Sequence, residues 1–504
     1  MKITASDSSL YTASQVYALD AAAIASGIPG IQLMKRAGQA AYELLLQRFP
    51  NPELISVYCG AGKNGGDGYV LAALARQRLL PVQVIQLAAP DKLAGEARQA
   101  YEYALQEGVK ILPFAQASVA QSGVIVDALL GIGLQGDVRP EFAAAIAQIN
   151  NAGLPVLSID IPSGLNSDSG TVQGAVVKAA LTITYIGIKR GLVTGRGPAC
   201  SGDIVLSRLD IPDEVYRQSA ADGQARPSAE ILSLSSLLEL LAEREADVHK
   251  GDFGHVMIIG GDSGYGGAAI MAAEAAARTG AGLVSLATRP EHIPAILARR
   301  PEIMACGVVS GQELEPLLTR PTVLVVGPGL GRSPWSEQML QQAVRSGLPM
   351  VLDADALNIL AEGRVVPDLA ARSHWLFTPH PGEAARLLGV DIAQVQADRF
   401  ASAARIQQKF GAVVVLKGAG SLVVDEAATG VVVQGNPGMA SGGMGDVLSG
   451  ILGGLIAQGL SLANAARLGV VLHANAADLA ADEVGQRSLL ATDLLPYLCQ
   501  LLSD

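Results

Sequence analysis

The chain has 504 residues, 50% of them hydrophobic and only 4% aromatic, with a mean hydropathy of +0.33. That length suggests roughly two to four domains, and that hydropathy excludes a disordered chain. A net charge of −11 and a pI near 5.1 exclude a general nucleic-acid binder, which needs a basic face; an anionic small ligand held by glycines or a lysine stays open.

In chain order, the run from Met1 to Asp7 lacks the apolar segment of a signal peptide. A helix is expected around Ser14–Ser26. Apolar runs at Leu54–Cys59, Val82–Leu87, Val124–Leu129, Val156–Ile161 and Leu181–Ile186 read as buried parallel strands. Helical patterns at Gly68–Arg78, Ala94–Glu107 and Glu141–Ala152 lie between them, giving the βαβ rhythm of a doubly wound sheet. So few aromatics leave an aliphatic, Ala/Gly-rich core, as suits helices packed closely on parallel strands.

Cys59-Gly60-Ala61-Gly62-Lys63-Asn64-Gly65-Gly66-Asp67-Gly68 follows a strand and opens a helix, the context of a phosphate or dinucleotide cradle. It is neither GxGxxG nor a Walker A, so ordinary dehydrogenase and P-loop functions are not supported. Asp127 precedes Leu130-Gly131-Ile132-Gly133-Leu134-Gln135-Gly136, and Asp160 precedes Ile161-Pro162-Ser163-Gly164. Ligands of open α/β sheets bind at strand C-termini, so Asn64, Asp127, Asp160 and Ser163 are expected in one crevice. They offer oxygen ligands and general-base chemistry; taken singly, each also suits a helix cap.

The rhythm stops near Asp210, and Asp213–Glu230, rich in Ala, Ser, Gln and Asp, reads as a linker. A second α/β unit follows, with strands expected at Val256–Gly260, Leu283–Ala287, Thr322–Val326, Met350–Asp353, Trp375–Thr378, Val413–Lys417 and Ser421–Val424. Near the end, Asn436-Pro437-Gly438-Met439-Ala440-Ser441-Gly442-Gly443-Met444-Gly445-Asp446 is a glycine-dense loop ending in a carboxylate, with a helix-compatible run behind it. Glycine amides and a helix N-terminus favour an anion. A carboxylate there suits a general base that takes a proton from a hydroxyl attacking a phosphoryl group, or else a plain N-cap. Val447–Ala466 is uncharged and long enough to span a membrane, but its polar residues and Gly459 favour a buried helix followed by a turn. Cys59, Cys200, Cys306 and Cys499 form no CxxC pair, so neither a zinc site nor a disulfide framework is indicated, and a reducing cytoplasm is the default.

Residues 11–40, the Asn64–Asp67 loop, the Asp127–Gly136 segment and Ser158–Gly164 together resemble the YjeF N-terminal domain, the NAD(P)HX epimerase family. Lys35 stands where many relatives carry Glu. From about residue 249 the chain resembles the ribokinase-like family of the YjeF C-terminal type, ADP/ATP-dependent NAD(P)HX dehydratase. The matching segments are Lys250–His255, Gly260-Gly261 with Gly266-Gly267-Ala268, Gly327–Gly331, Asp353–Asn358, Thr378–Glu383, Lys417-Gly418 and Gly443–Asp446.

The resemblance implies an α/β chain of two domains, an N-terminal Rossmann-like three-layer domain over 1–220 and a C-terminal ribokinase-like α/β domain over 225–504. It implies metabolite repair of hydrated NADH and NADPH: epimerisation of R- and S-NAD(P)HX, through ring opening or a transient iminium, and dehydration of the S form through a phosphorylated intermediate. ADP giving AMP and phosphate is the expected nucleotide use, with ATP the alternative. In the first domain it implies potassium at Asn64, Asp127 and Ser163, with Asp160 at the substrate as candidate base. Lys63, Asn64, Gly65, Gly66 and Asp67 are expected at the same substrate, and Gly131, Ile132, Gly133, Leu134, Gln135, Gly136 and Asp137 at its phosphates. In the second, Asp446 is the expected base, Ala268, Gly331 and His380 meet the substrate, and Lys417, Gly418, Ala419, Gly420, Ser421 and Gly445 hold nucleotide with magnesium. Glu383 is a candidate for positioning a magnesium-bound water; Asp353 and Asp355 suit metal binding or capping and stay unassigned. A true small-molecule kinase and a noncatalytic nucleotide-binding protein are the rival readings. No membrane partner is expected, and an Ala/Gly-rich apolar surface suits a homo-oligomer.

Overall fold

The computed structural model describes residues 2–4, 8–118, 121–366 and 373–503. Of the run read for a targeting segment, Met1 and residues 5–7 lie outside the described residues. The chain forms two compact units with the boundary between Glu230 and Ile231.

The first unit is built from β1 (Ile3–Thr4), α1 (Ala13–Ala25), α2 (Gly30–Arg48), β2 (Ile55–Cys59), α3 (Lys63–Gln77), β3 (Val82–Gln86), α4 (Gly95–Gln106), β4 (Lys110–Pro113), β5 (Val124–Ala128), α5 (Pro140–Asn151), β6 (Val156–Ile159), β7 (Leu181–Tyr185), β8 (Asp203–Ser207) and α6 (Asp213–Ala221). Its sheet runs β1-β8-β7-β6-β5-β2-β3-β4, every neighbouring pair parallel. The central strand β2 is buried at every residue, which is why it reads as an unbroken apolar run. Alternation along it feeds two cores: Val57 and Cys59 join one with α1, α2 and α3, while Tyr58 joins the other under α5. Thr12 starts α1 with a reciprocal cap, its hydroxyl accepting from Gln15 N–H and its own N–H donating to the Gln15 side chain.

Two expectations change here. Helix α3 begins at Lys63, five residues before the expected start, so the glycine-rich segment is itself helical. Its glycines serve close packing. A Cβ on Gly65 would lie 2.2 Å from the Gly60 carbonyl oxygen, and one on Gly68 would lie 2.6 Å from Ala128 Cβ. The stretch read as a linker opens with α6, which buries Val215 and Tyr216 and sends the Tyr216 hydroxyl to the Ile186 carbonyl at 2.8 Å. Its small, polar composition concealed a helix with one narrow apolar stripe.

The second unit comprises β9 (His255–Ile259), α7 (Gly266–Arg278), β10 (Leu283–Thr288), β11 (Met304–Gly307), β12 (Val323–Val326), α8 (Pro334–Arg345), β13 (Met350–Leu352), α9 (Ala354–Glu362), β14 (Trp375–Phe377), α10 (Pro381–Leu388), α11 (Arg399–Phe410), β15 (Val413–Leu416), β16 (Ser421–Val424), β17 (Thr429–Val432), α12 (Met444–Ala457), α13 (Leu462–Val484) and α14 (Leu494–Leu501). Strands order as β11-β10-β9-β12-β13-β14-β15-β16-β17, parallel through β15 and antiparallel beyond it. Helix α12 lies against α7 at backbone distance: a Cβ on Gly450 would stand 2.1 Å from the Ala272 carbonyl oxygen. It ends at Ala457, a turn with left-handed Gly459 follows, and Ser461 caps α13, so the long uncharged run is two segments. Among the described residues no single helix is long and apolar enough to cross a membrane. Trp335 is buried at the start of α8 with Arg289 over its ring at 4.6 Å, and Trp375 is buried in β14.

Candidate active sites

In the first unit the C-terminal ends of β2, β5 and β6 open on a cavity of about 510 Å³. Its lining includes Lys63, Asn64, Asp67, Gly131, Ile132, Gly133, Leu134, Gln135, Asp137 and Asp160 from the sequence reading. Gly65, Gly66 and Gly136 are outside that lining, as are Asp127 and Ser163.

Those last two form a fully buried pair. Asp127 accepts from Ser163 Oγ at 2.5 Å, Ser163 N–H at 2.9 Å, Ser158 Oγ at 2.8 Å and Leu129 N–H at 3.3 Å. Burial raises its pKa, and the hydrogen bonds from Ser163 and Ser158 oppose that rise. Ser163 Oγ also accepts from Leu130 N–H at 2.9 Å, tying the pair to the segment that carries Gly131. Asn64 packs against that segment: a Cβ on Gly131 would lie 3.3 Å from Asn64 Cβ and 3.7 Å from Asp160 Oδ2. Both polar atoms of the Asn64 amide are buried without a hydrogen-bond partner, a costly state unless a ligand completes it.

Asp160 sits just past β6 with a left-handed backbone, φ 67°, rare for a residue with a side chain. Its Oδ1 is ion-paired to Lys189 Nζ, whose side chain is fully buried. Lys189 also donates to Thr184 Oγ1 at 3.0 Å and to the Tyr185 carbonyl at 2.9 Å, so its three N–H bonds are all used. Sequence reading missed Lys189; the available signal was a lysine interrupting the apolar stretch Ile186-Gly187-Ile188. It also missed Tyr17, which lines the cavity from α1.

In the second unit the chemistry gathers at the starts of α9, α10 and α12 and the end of β15. Gly443 is left-handed at φ 95°, and a Cβ there would meet Met271 Cε at 2.8 Å and Ala491 Cβ at 2.9 Å. Asp446 lies in the first turn of α12. Burial, reinforced by the Asp353 charge, holds its pKa up at about 7, with Lys417 opposing. The Lys417 ammonium pairs with Asp353 Oδ1 at 2.7 Å and stands 4.0 Å from Glu383 Oε2. Asp353 Oδ2 accepts from Ser449 Oγ at 2.9 Å. Gly445 faces this pair, for a Cβ on it would lie 3.3 Å from both Asp353 Oδ2 and Lys417 Nζ. Asp353 occupies the N-cap position of α9 but makes no side-chain cap, so its carboxylate serves the cluster.

His380 caps α10: Gly382 N–H donates to its Nδ1 at 2.9 Å, and its own N–H donates to Glu383 Oε2 at 2.7 Å. Burial lowers the imidazole pKa, in keeping with an accepting nitrogen. Burial raises Glu383 to about 7. Asp355 accepts from Arg332 and Asn358, each at 3.1 Å. Ala268 and Gly331 form a neighbouring group around Gly329 and Asp262. Gly331 is left-handed at φ 69°, with a Cβ position 3.1 Å from Asp262 Oδ2, and Asp262 Oδ1 accepts from Arg289 Nε at 2.7 Å. The Lys417–Ser421 turn leaves Gly418 and Ala419 exposed. The buried Arg399 guanidinium supports the turn from beneath, donating to the Leu416 carbonyl at 3.2 Å and the Gly420 carbonyl at 3.4 Å.

Comparison with known proteins matches residues 30–191 to the family of the YjeF-related protein N-terminus and residues 256–500 to that of NAD(P)H-hydrate dehydratase. The chain is 50% identical to the bifunctional NAD(P)H-hydrate repair enzyme Nnr of Coxiella burnetii, over 98% of this chain and 99% of that one. It is 42% identical to the enzyme of the same description from Escherichia coli, over 95% and 90%. Among solved structures, a hypothetical protein of Streptococcus mutans matches at 30% identity and a TM-score of 0.50, over 54% of this chain and 98% of that one.

Proposed function

The chain belongs to the family of bifunctional NAD(P)H-hydrate repair enzymes, and on that premise we propose how its two units divide the repair. The enzyme interconverts R- and S-NAD(P)HX and dehydrates the S form to NAD(P)H. We assign epimerisation to residues 1–220 and dehydration to residues 225–504.

In the first unit NAD(P)HX occupies the 510 Å³ cavity, its phosphates along Gly131–Asp137 and its hydrated ring near Asp160, the base. Lys63, Asn64 and Asp67 meet the same substrate, while Gly65 and Gly66 pack the helix behind them. Asn64, Asp127 and Ser163 hold potassium. The unpartnered Asn64 amide and the all-oxygen donor set fit a hard monovalent ion; bound there, it supplies a fixed positive charge beside the phosphate segment.

In the second unit Lys417, Gly418, Ala419, Gly420, Ser421 and Gly445 hold ADP with magnesium, which neutralises phosphate charge. Ala268, Gly331 and His380 meet the hydrated dinucleotide. Asp446 takes the proton of the ring hydroxyl as that oxygen attacks the terminal phosphorus of ADP, and AMP leaves. The phosphate ester then departs as inorganic phosphate, a far better leaving group than hydroxide, the neighbouring ring carbon loses a proton to solvent, and the ring double bond returns. ATP can serve as the alternative donor. Four unpaired cysteines suit the reducing cytoplasm where these nucleotides are found.

The observation that carries the dehydratase assignment is a half-buried carboxylate in the first turn of a glycine-preceded helix, held near neutral pH while the adjacent lysine serves another acid. The test is recovery of NADH absorbance from mixed R- and S-NADHX with magnesium, potassium and ADP or ATP. Complete nucleotide-dependent recovery is expected. Recovery that halts at the S fraction removes the epimerase assignment, and a stable phosphorylated product without NADH makes the second unit a kinase.

A further inference from the structure

The cavity of the first unit contains a second buried carboxyl. Asp67 lies in α3, is 8% exposed and lines the cavity with Asp160. Among the described residues it has no hydrogen-bond or ion-pair partner. The cations nearest it are engaged elsewhere, Lys63 with Asp20 at 2.7 Å and Lys189 with Asp160. A buried carboxylate with neither cation nor donor is far less stable than the protonated acid. Burial first and the Asp160 charge second push its pKa well above the usual range; Asp20 adds to that, and Lys63 and Lys189 oppose it. Tyr185 and Cys59 face it as well, and burial raises the pKa of both, so neither adds a further negative charge beside it. One cavity therefore holds two carboxyl groups in unlike settings, Asp160 paired with a buried lysine and Asp67 without a partner.

We propose that Asp67 is a catalytic residue of the epimerisation, the proton donor to the ring nitrogen of hydrated NAD(P)H, working with Asp160 as base. This rests on the reading of the cavity as the epimerase site. A base and an acid together suit ring opening. Asp160 takes the hydroxyl proton, the oxygen electrons form a carbonyl, and the carbon–nitrogen bond breaks with its pair going to nitrogen, which takes the proton of Asp67. Rotation presents the other face of the aldehyde. Closure returns the nitrogen proton to Asp67 and the Asp160 proton to oxygen, so nothing is consumed and no co-reactant is needed. Loss of water to an iminium would also need an acid, with a base for the water that adds back, but it would place the acid at the hydroxyl oxygen rather than at the ring nitrogen, so the two routes call for the donor at different atoms.

The experiment measures R-to-S exchange in the full-length protein for wild type, Asp67→Asn and Asp160→Asn, with dehydration of S-NADHX as the internal control. Asp67→Asn keeps shape and polarity but carries no transferable proton. The expected result is a kcat lower by a factor of about 10²–10⁴, KM for NADHX within about threefold of wild type, and dehydration intact. Wild-type exchange is expected to fall on the alkaline side as Asp67 loses its proton, which tests the donor without a substitution. An Asp67→Asn kcat within about threefold of wild type overturns the proposal. So does a raised KM with kcat preserved, which would make Asp67 a binding group alone, and so does a wild-type profile without an alkaline limb. Undiminished exchange in Asp160→Asn would instead remove the epimerase reading of the cavity; a dead Asp160→Asn beside an active Asp67→Asn removes only the donor.

Discussion

The turn after β6 and the first turn of α12 invite comparison, since each brings a carboxylate, Asp160 in one and Asp446 in the other, to a site at strand C-termini. The difference lies in where the lysine goes. In the first unit Lys189 pairs with Asp160 itself, from a fully buried position. In the second, Lys417 pairs with Asp353 and leaves Asp446 with burial and a neighbouring negative charge, at about 7. Similar parts thus give two kinds of base. One is pinned by a cation and oriented by a strained backbone, while the other is poised to change protonation near neutral pH.

The largest expected effect separates the two units. Asp446→Asn should lower dehydratase kcat by about 10³ while exchange of the R and S forms continues unchanged; a variant that still dehydrates at near wild-type rate would end the assignment of Asp446. Next, Lys189→Met leaves Asp160 without its buried partner. It should cost the first unit about 3 kcal/mol, seen as an earlier transition in far-ultraviolet circular dichroism, and should abolish exchange. If the melt is unchanged, the pinned-base half of the comparison is wrong. The smallest effect concerns the poised base. Dehydration should rise with pH through about 7, as Asp446 loses its proton. Asp353→Asn removes a charge that raises Asp446 and frees Lys417 to lower it, so the midpoint of that limb should move down by about one pH unit. A midpoint that stays put, or rises, would show that Asp353 does not tune Asp446.

Legibility in the sequence followed burial. β2, β5, β6, β7 and β15 are covered on both faces and stood out as apolar runs. The edge strands β4 and β11 are half exposed and gave no such signal. The segments carrying Asn64, Asp127, Asp160, Lys417 and Asp446 stood out in the sequence because glycines and polar residues cluster in them directly after apolar runs or before a helix, although any one such residue also suits a cap. Lys189 and Asp353 were not, because their meaning is relational. A lysine reads as solvent-facing until the fold sets it beside Asp160, and an aspartate before a helix reads as a cap until Lys417 and Ser449 reach it. The partnerless state of Asp67 is likewise a property of the folded environment.

Both tryptophans of the chain, Trp335 and Trp375, belong to the second unit. Intrinsic tryptophan emission is therefore blind to the first unit, and a fluorescence melt reports the dehydratase half alone. This matters because two compact units need not unfold in one step. Trp335 stacks under Arg289, whose guanidinium holds Asp262 against Gly331. A ligand arriving at Gly331 would thus alter the emission of this native fluorophore, giving a label-free titration of one site in a protein that has two.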